Sequence, residues 1–173
     1  MGESIVSDYY EKQLAVGQEY QDFIGDILCK RGLPIRNYTS RKYQLNKGEN
    51  LIGLEIKHDT QISVYGNLFI EVAERRDFSM PFFPSRIYAG NSILYLIGDR
   101  ERYFLFSTNM LRAIHRSGQY PVITIRRNTS QGFKLPVQDV RENLWMIEEY
   151  VFPNTDTIAS THDGSCQFFS KKP

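Results

Sequence analysis

The run Glu55-Ile56-Lys57-His58-Asp59 and the solitary Glu71 within Leu68-Phe69-Ile70-Glu71-Val72-Ala73 hold the residue types best suited to chemistry in this chain. Residues 51–59 read as a strand. Side chains alternate along a strand with a period of two, so Ile52, Leu54 and Ile56 share one face and Glu55, Lys57 and Asp59 share the other. Residues 67–73 read as the next strand, with Leu68, Ile70 and Val72 on one side and Phe69, Glu71 and Ala73 on the other. That strand is apolar on both sides except at Glu71, as a central strand would be. Tyr65-Gly66-Asn67 is a turn signal between them, and the two strands are expected to form a hairpin that brings Asp59 beside Glu71. Two carboxylates held together in a partly buried place repel each other. They persist only if they share a cation or if one is protonated. Hard oxygen ligands of this kind suit Mg²⁺ or Mn²⁺. Lys57 falls on the face of Asp59, where its ammonium could hold an attacking water and offset charge on a phosphate. Carboxylates and a lysine around a divalent ion are what phosphodiester hydrolysis requires.

A plainer reading of the same residues is a solvated sheet face carrying a Glu-x-Lys-x-Asp salt-bridge ladder, which is common in antiparallel sheets. Glu71 counts against it, because a carboxylate inside an apolar run is costly unless it is compensated.

The elements around these strands follow from periodicity and punctuation. A helix is expected over residues 7–31, capped by Ser7 or Asp8 and stopped by Gly32-Leu33-Pro34. Its apolar stripe is Tyr20, Phe23, Ile24, Ile27 and Leu28. Glu19 borders that stripe, and on spacing alone it reads as a solvated flank residue that grazes the core. A polar stretch, 37–50, follows. Beyond Glu71, residues 92–97 and 102–106 read as a hairpin around Gly98-Asp99. Residues 109–116 read as a short helix, capped by Ser107 or Thr108. Residues 121–126 read as a strand, 128–132 as a loop and 137–150 as a helix. This order predicts an α/β (α+β) fold, a mixed central β-sheet flanked by helices. One domain is expected over residues 1–152, followed by a loosely ordered tail over 153–173.

The chain has 173 residues, enough for one core without staples. Its net charge is +1, so no overall charge argument points to nucleic acid or membrane, and any basic surface must be local. No apolar run approaches the ~20 residues needed to cross a bilayer. Cys29 and Cys166 have no Cys-x-x-Cys or zinc-type spacing. Cys29 reads as a buried thiol. With no secretory pattern over residues 1–7, the expected setting is reducing and cytoplasmic.

The segment 9–76 resembles the core of the PD-(D/E)xK, or restriction-endonuclease-like, nuclease superfamily. There a helix glutamate precedes a hairpin, the first acid ends or follows one strand, and the second acid and a lysine lie on the next. Gly17-Gln18-Glu19-Tyr20 is similar to the superfamily's first helix, in which a glutamate two residues after a glycine often assists metal binding. Asp59 matches the first acid, and Glu71 the second, within Phe69-Ile70-Glu71-Val72. The resemblance implies an endonuclease that hydrolyses DNA with Mg²⁺ or Mn²⁺. Asp59, Glu71 and Glu19 would be ligands, Lys57 would orient water and Glu55 would support them. Such enzymes often act as homodimers. The chain departs from the pattern at Ala73, where the lysine is expected. Lys57 is placed to substitute; otherwise the protein is a nucleic-acid-binding or protein-interaction module that kept the fold and lost catalysis. A second alignment takes Glu55-Ile56-Lys57 as the acid-x-lysine triplet with Glu49 as first acid. It ranks lower, because 49–55 is too short for two paired strands and a turn.

Other residues carry weaker signals. His58 points to the face of Ile56 and reads as a core or edge histidine. His115 and His162 stand alone. Asn128-Thr129-Ser130 fits a glycosylation acceptor but lacks a secretory context. Ser130-Gln131-Gly132 lacks the flanks of a nucleophile elbow. Arg75, Arg76, Arg86, Arg126, Arg127 and Lys134 are scattered basic residues that could meet phosphates and otherwise serve as ordinary surface.

Overall fold

A computed structural model describes residues 4–35, 50, 52–77, 79–125 and 128–153, with side chains from residue 15 onward. The fold is mixed α and β, as expected. Its elements are α1 (Ser4–Lys30), β1 (Leu54–His58), α2 (Ile62–Tyr65), β2 (Asn67–Glu74), β3 (Phe83–Pro84), α3 (Arg86–Ala89), β4 (Leu94–Gly98), β5 (Arg102–Ser107), α4 (Thr108–Ser117), β6 (Val122–Ile125), β7 (Ser130–Pro136), α5 (Val137–Glu142) and β8 (Glu148–Val151).

The strands form two four-stranded sheets instead of one. The first has the order β1-β4-β5-β8 and is mixed, with β1 parallel to β4. The second has the order β3-β2-β7-β6 and is antiparallel throughout. The period-two rule explains how the layers assemble. Leu54, Ile56, Leu96 and Tyr103 cluster with Tyr20, Ile24 and Leu28 of α1. The alternate residues of the same sheet, Tyr95, Ile97, Phe104 and Phe106, join Leu68, Ile70 and Phe133 of the second sheet in a larger cluster. One face of the first sheet is therefore covered by α1, and the opposite face packs toward the second sheet. Since Glu55 is level with Tyr95 and Lys57 with Ile97 in the parallel register, the charged face of β1 looks into the space between the sheets.

Helix α1 stops where Gly32 enters the left-handed region at φ 80°. There the Gly32 and Leu33 amides donate to the carbonyls of Cys29 and Leu28, closing the last turn with a glycine as helix ends commonly do. Cys29 is partly exposed and is not a free thiol, unlike the buried thiol expected. Among the described residues, no helix is long and apolar enough to cross a membrane.

Three further expectations are corrected. The hairpin of β1 with β2 does not form. β1 pairs with β4, and the pairing continues beyond the strand through the Asp59 amide to the Gly98 carbonyl at 2.8 Å. The connection folds into the helical turn α2, which carries the chain across to the second sheet. Residues 128–132 are not a loop throughout, because β7 begins at Ser130 and pairs with β2 on one side and β6 on the other. Residues 137–150 are not one helix. α5 ends at Glu142, Leu144 takes φ 53°, and β8 then pairs with β5. The tail beyond 153, with Cys166 and His162, lies outside the described residues, as do 36–49, Arg126 and Arg127.

Gly132 shows why a glycine sits inside a strand. A Cβ there would lie 2.4 Å from the Ile70 carbonyl oxygen and 2.6 Å from Cζ of Phe69. The backbones and the Phe69 ring close over the gap that the missing side chain leaves. Gly132→Ala is expected to destabilise the fold by roughly 1–3 kcal/mol through overpacking, read as a lower urea midpoint with an unchanged slope.

Candidate functional site

Lys57, His58, Asp59, Phe69, Glu71, Tyr95 and Ile97 line a cavity of about 50 Å³ between the two sheets. A space of this size holds a few waters or one partly hydrated ion. The residues come from β1, the end of β1, β2 and β4, so the cavity depends on the two sheets being held in register with each other.

Asp59 provides part of that hold. Its Oδ1 accepts from the Gln61 amide at 3.0 Å, and its Oδ2 accepts from the Phe69 amide at 2.9 Å. The carboxylate therefore turns the chain after β1 and ties it to β2, which replaces the backbone pairing a hairpin would have supplied.

Lys57 lies 3.0 Å from Oε1 of Glu55. The lysine side chain is 37% exposed and the glutamate 1%. The contact is an ion pair without a well-aligned hydrogen bond, since Glu55 Oε1 has no such partner among the described residues. Burial pulls the Lys57 ammonium down, but Glu55, Tyr95 and Glu71 more than offset it and hold the group above the usual lysine range. Glu55 does not line the cavity and serves as the counter-ion of Lys57. The Tyr95 hydroxyl is pushed up by burial, opposed by Lys57 and reinforced by Glu55, Glu71 and Asp59. Glu74 is raised by burial and by Glu71, with Lys57 and Arg86 opposing. Among the described residues, Glu55, Asp59, Glu71 and Glu74 thus share this neighbourhood with Lys57 and Arg86.

Glu71 stands at a β-bulge, where the register of β2 against β7 slips between Glu71 and Ala73. Bulges re-aim side chains and recur beside functional sites. The Ser130 hydroxyl donates to Glu71 Oε2, and the Ser85 hydroxyl donates to the Glu71 carbonyl at 2.5 Å. Ser130, Ser85 and Tyr95 were not legible as site residues. Serines in a presumed loop and before a short helix carry no pattern, and Tyr95 joins the site only through the β1–β4 register.

The structure brings Asp59, Glu71 and Lys57 together and leaves Glu19 exposed on α1, away from the cavity lining. Among the described residues, no group of three or more His, Cys, Asp or Glu is close enough to hold a metal ion as it stands. His58 stacks on Tyr20 with ring centroids 4.4 Å apart and borders the cavity. Its imidazole is held below the usual range by burial and by Arg100. Arg75 is engaged in the fold: it donates to the carbonyls of Asn128 and Met80 and lies over the Phe82 ring. Arg76 and Lys134 are exposed.

No protein-family model, no curated protein and no solved structure matches this chain.

Proposed function

We propose that this chain is a metal-dependent nuclease that hydrolyses DNA phosphodiester bonds. Asp59 and Glu71 would hold a Mg²⁺ or Mn²⁺ ion, and Lys57 would stand beside it. One observation carries the reading: two carboxylates and a lysine, from strands of different sheets, line one small cavity. Two carboxylates supply the hard oxygen donors that a divalent cation of this kind takes. A bound ion would supply an activated water and stabilise the charge that develops on the phosphate. Lys57 is held protonated at neutral pH, so it donates and does not accept a proton there. Its part is to orient a water or phosphate oxygen and to offset developing negative charge. Glu55 keeps the ammonium in place, and Asp59 is preset by its two backbone bonds.

Ala73 and the Glu55–Lys57 pair favour a second reading, a module that binds metal and nucleic acid without cutting. With Lys57 neutralised by Glu55, the cavity suits a cation better than a phosphate.

Plasmid and branched DNA incubated with Mn²⁺, using wild type and Glu71→Gln, separate these. Glutamine keeps an oxygen for Ser130 but loses the charge, so the fold survives. The variant is expected to cut about 100-fold more slowly or worse, the scale of losing one preorganised charged group. Cleavage at full rate by Glu71→Gln would refute the site. DNA binding without turnover in wild type, unchanged by Lys57→Ala, would establish the second reading.

A further inference from the structure

We propose that Ser130 is a positioning residue for the Glu71 carboxylate, holding it at the cavity where the proposed divalent cation would bind. The inference rests on the metal-site reading above and goes beyond it to a residue that no metal-site pattern in the sequence indicates. Ser130 is 3% exposed and opens β7, opposite Glu74 in the register with β2. Its hydroxyl donates to Oε2 of Glu71 across the bulge. The backbone of the same segment is fixed independently. Ser85, 2% exposed, donates its amide to the Val72 carbonyl at 2.9 Å and its hydroxyl to the Glu71 carbonyl.

The bulge would otherwise leave the Glu71 side chain several rotamers. A glutamate has three side-chain torsions, and each must be fixed for a carboxylate oxygen to meet an ion without an entropic cost at binding. Ser85 fixes the main chain, and Ser130 fixes the far end of the side chain. Gly132, level with Glu71 on β7, leaves the space over the strand to the Phe69 ring. The carboxylate is held from the strand side and presented to the cavity lined also by Asp59 and Lys57. A hydroxyl hydrogen-bonded to a ligating carboxylate is the kind of outer partner whose loss weakens metal affinity without touching the metal.

The test uses the full chain and Mn²⁺ alone, followed by calorimetry and by the Mn²⁺ paramagnetic resonance signal, with thermal unfolding in parallel. Ser130→Ala is expected to bind Mn²⁺ about 10-fold more weakly or worse, the usual scale for outer partners of a ligand, with its unfolding midpoint close to wild type. Ser130→Thr keeps the hydroxyl and is expected to restore the affinity. Should Ser130→Ala not fold, Ser130→Cys, which keeps the volume with a weaker donor, is read in its place against the same expectation. Equal Mn²⁺ affinity in wild type and Ser130→Ala overturns the proposal and leaves the metal site standing. So does equal weakening in Ala and Thr, which would mark a packing role. A wild-type chain that binds no Mn²⁺ overturns the metal reading itself, and this inference with it.

Discussion

Lys57→Ala is expected to destabilise the protein by roughly 2–4 kcal/mol, because it strands a glutamate that is almost wholly buried. Glu55 is 1% exposed and Lys57 lies 3.0 Å from it. Removing one member of a buried pair leaves the other charge without compensation, which costs far more than the pair itself contributes. The estimate is set below the full value for a buried pair because the lysine side chain is 37% exposed and water screens part of the interaction. Urea unfolding should show a lower midpoint, and Glu55→Gln combined with Lys57→Met should recover most of the loss. The coupling between the two sites in a double-mutant cycle measures the pair directly. The pH dependence has a definite sign. The folded-state value of Lys57 is raised above its ordinary 10.5, so its contribution is fully present below that value and is lost only as pH climbs beyond it. The gap between wild type and Lys57→Ala should therefore stay flat from neutral pH to about 10 as far as the lysine is concerned. A variant with the wild-type midpoint would mean that Glu55 is not compensated by Lys57 at all.

That pair also shows how far the sequence could be read. The alternation in 51–59 placed Ile52, Leu54 and Ile56 opposite Glu55, Lys57 and Asp59. In the fold, Leu54 and Ile56 meet α1 while Glu55 and Lys57 face the second sheet. Periodicity is a local property, and it survives whatever partner the strand finds. Pairing is not local. Nothing in 51–73 reveals that β1 will choose β4, because that choice is made by the apolar run Leu94–Gly98, which presents one face to α1 and the other to the second sheet. The cavity nevertheless gathers Lys57, Asp59 and Glu71, although the reason expected for their meeting, a hairpin, is absent. Asp59 reaches β2 with its side chain where the backbone was expected to do so. The errors at 128–132 and 137–150 share one cause. The polar, glycine-containing run 128–132 reads as a loop, but its glycine is there to let Phe69 and Ile70 approach. The spacing of Val140, Leu144, Trp145 and Ile147 suggests a helical stripe over 137–150, but α5 ends at Glu142 and Trp145, with Met146, packs on the larger core from the connection to β8. Tertiary contact overrode the local signal in each case.

Asp59 is the residue in which structural and chemical roles are hardest to separate, and two variants together separate them. Asp59→Ala removes both acceptors. The Gln61 amide is exposed and water replaces its partner, but the Phe69 amide is partly buried and loses a charge-assisted bond. The expected loss is about 3 kcal/mol, one such bond together with the desolvated donor it leaves. Asp59→Asn keeps a single carbonyl oxygen, which can serve the Phe69 amide while the Gln61 amide turns to solvent. Its loss should be about 1 kcal/mol. If Asp59 also ligates a divalent ion, the two variants should be equally poor in cleavage, each down by about 100-fold or more, despite their different stabilities. Activity that follows stability, with Asn near wild type and Ala inactive, would show a residue that only ties two sheets together. Alanine with wild-type stability would sink the tie, and alanine with wild-type cleavage would sink the site. Rate and unfolding midpoint must therefore be measured on the same preparations, since either alone leaves the two roles of this carboxylate confounded.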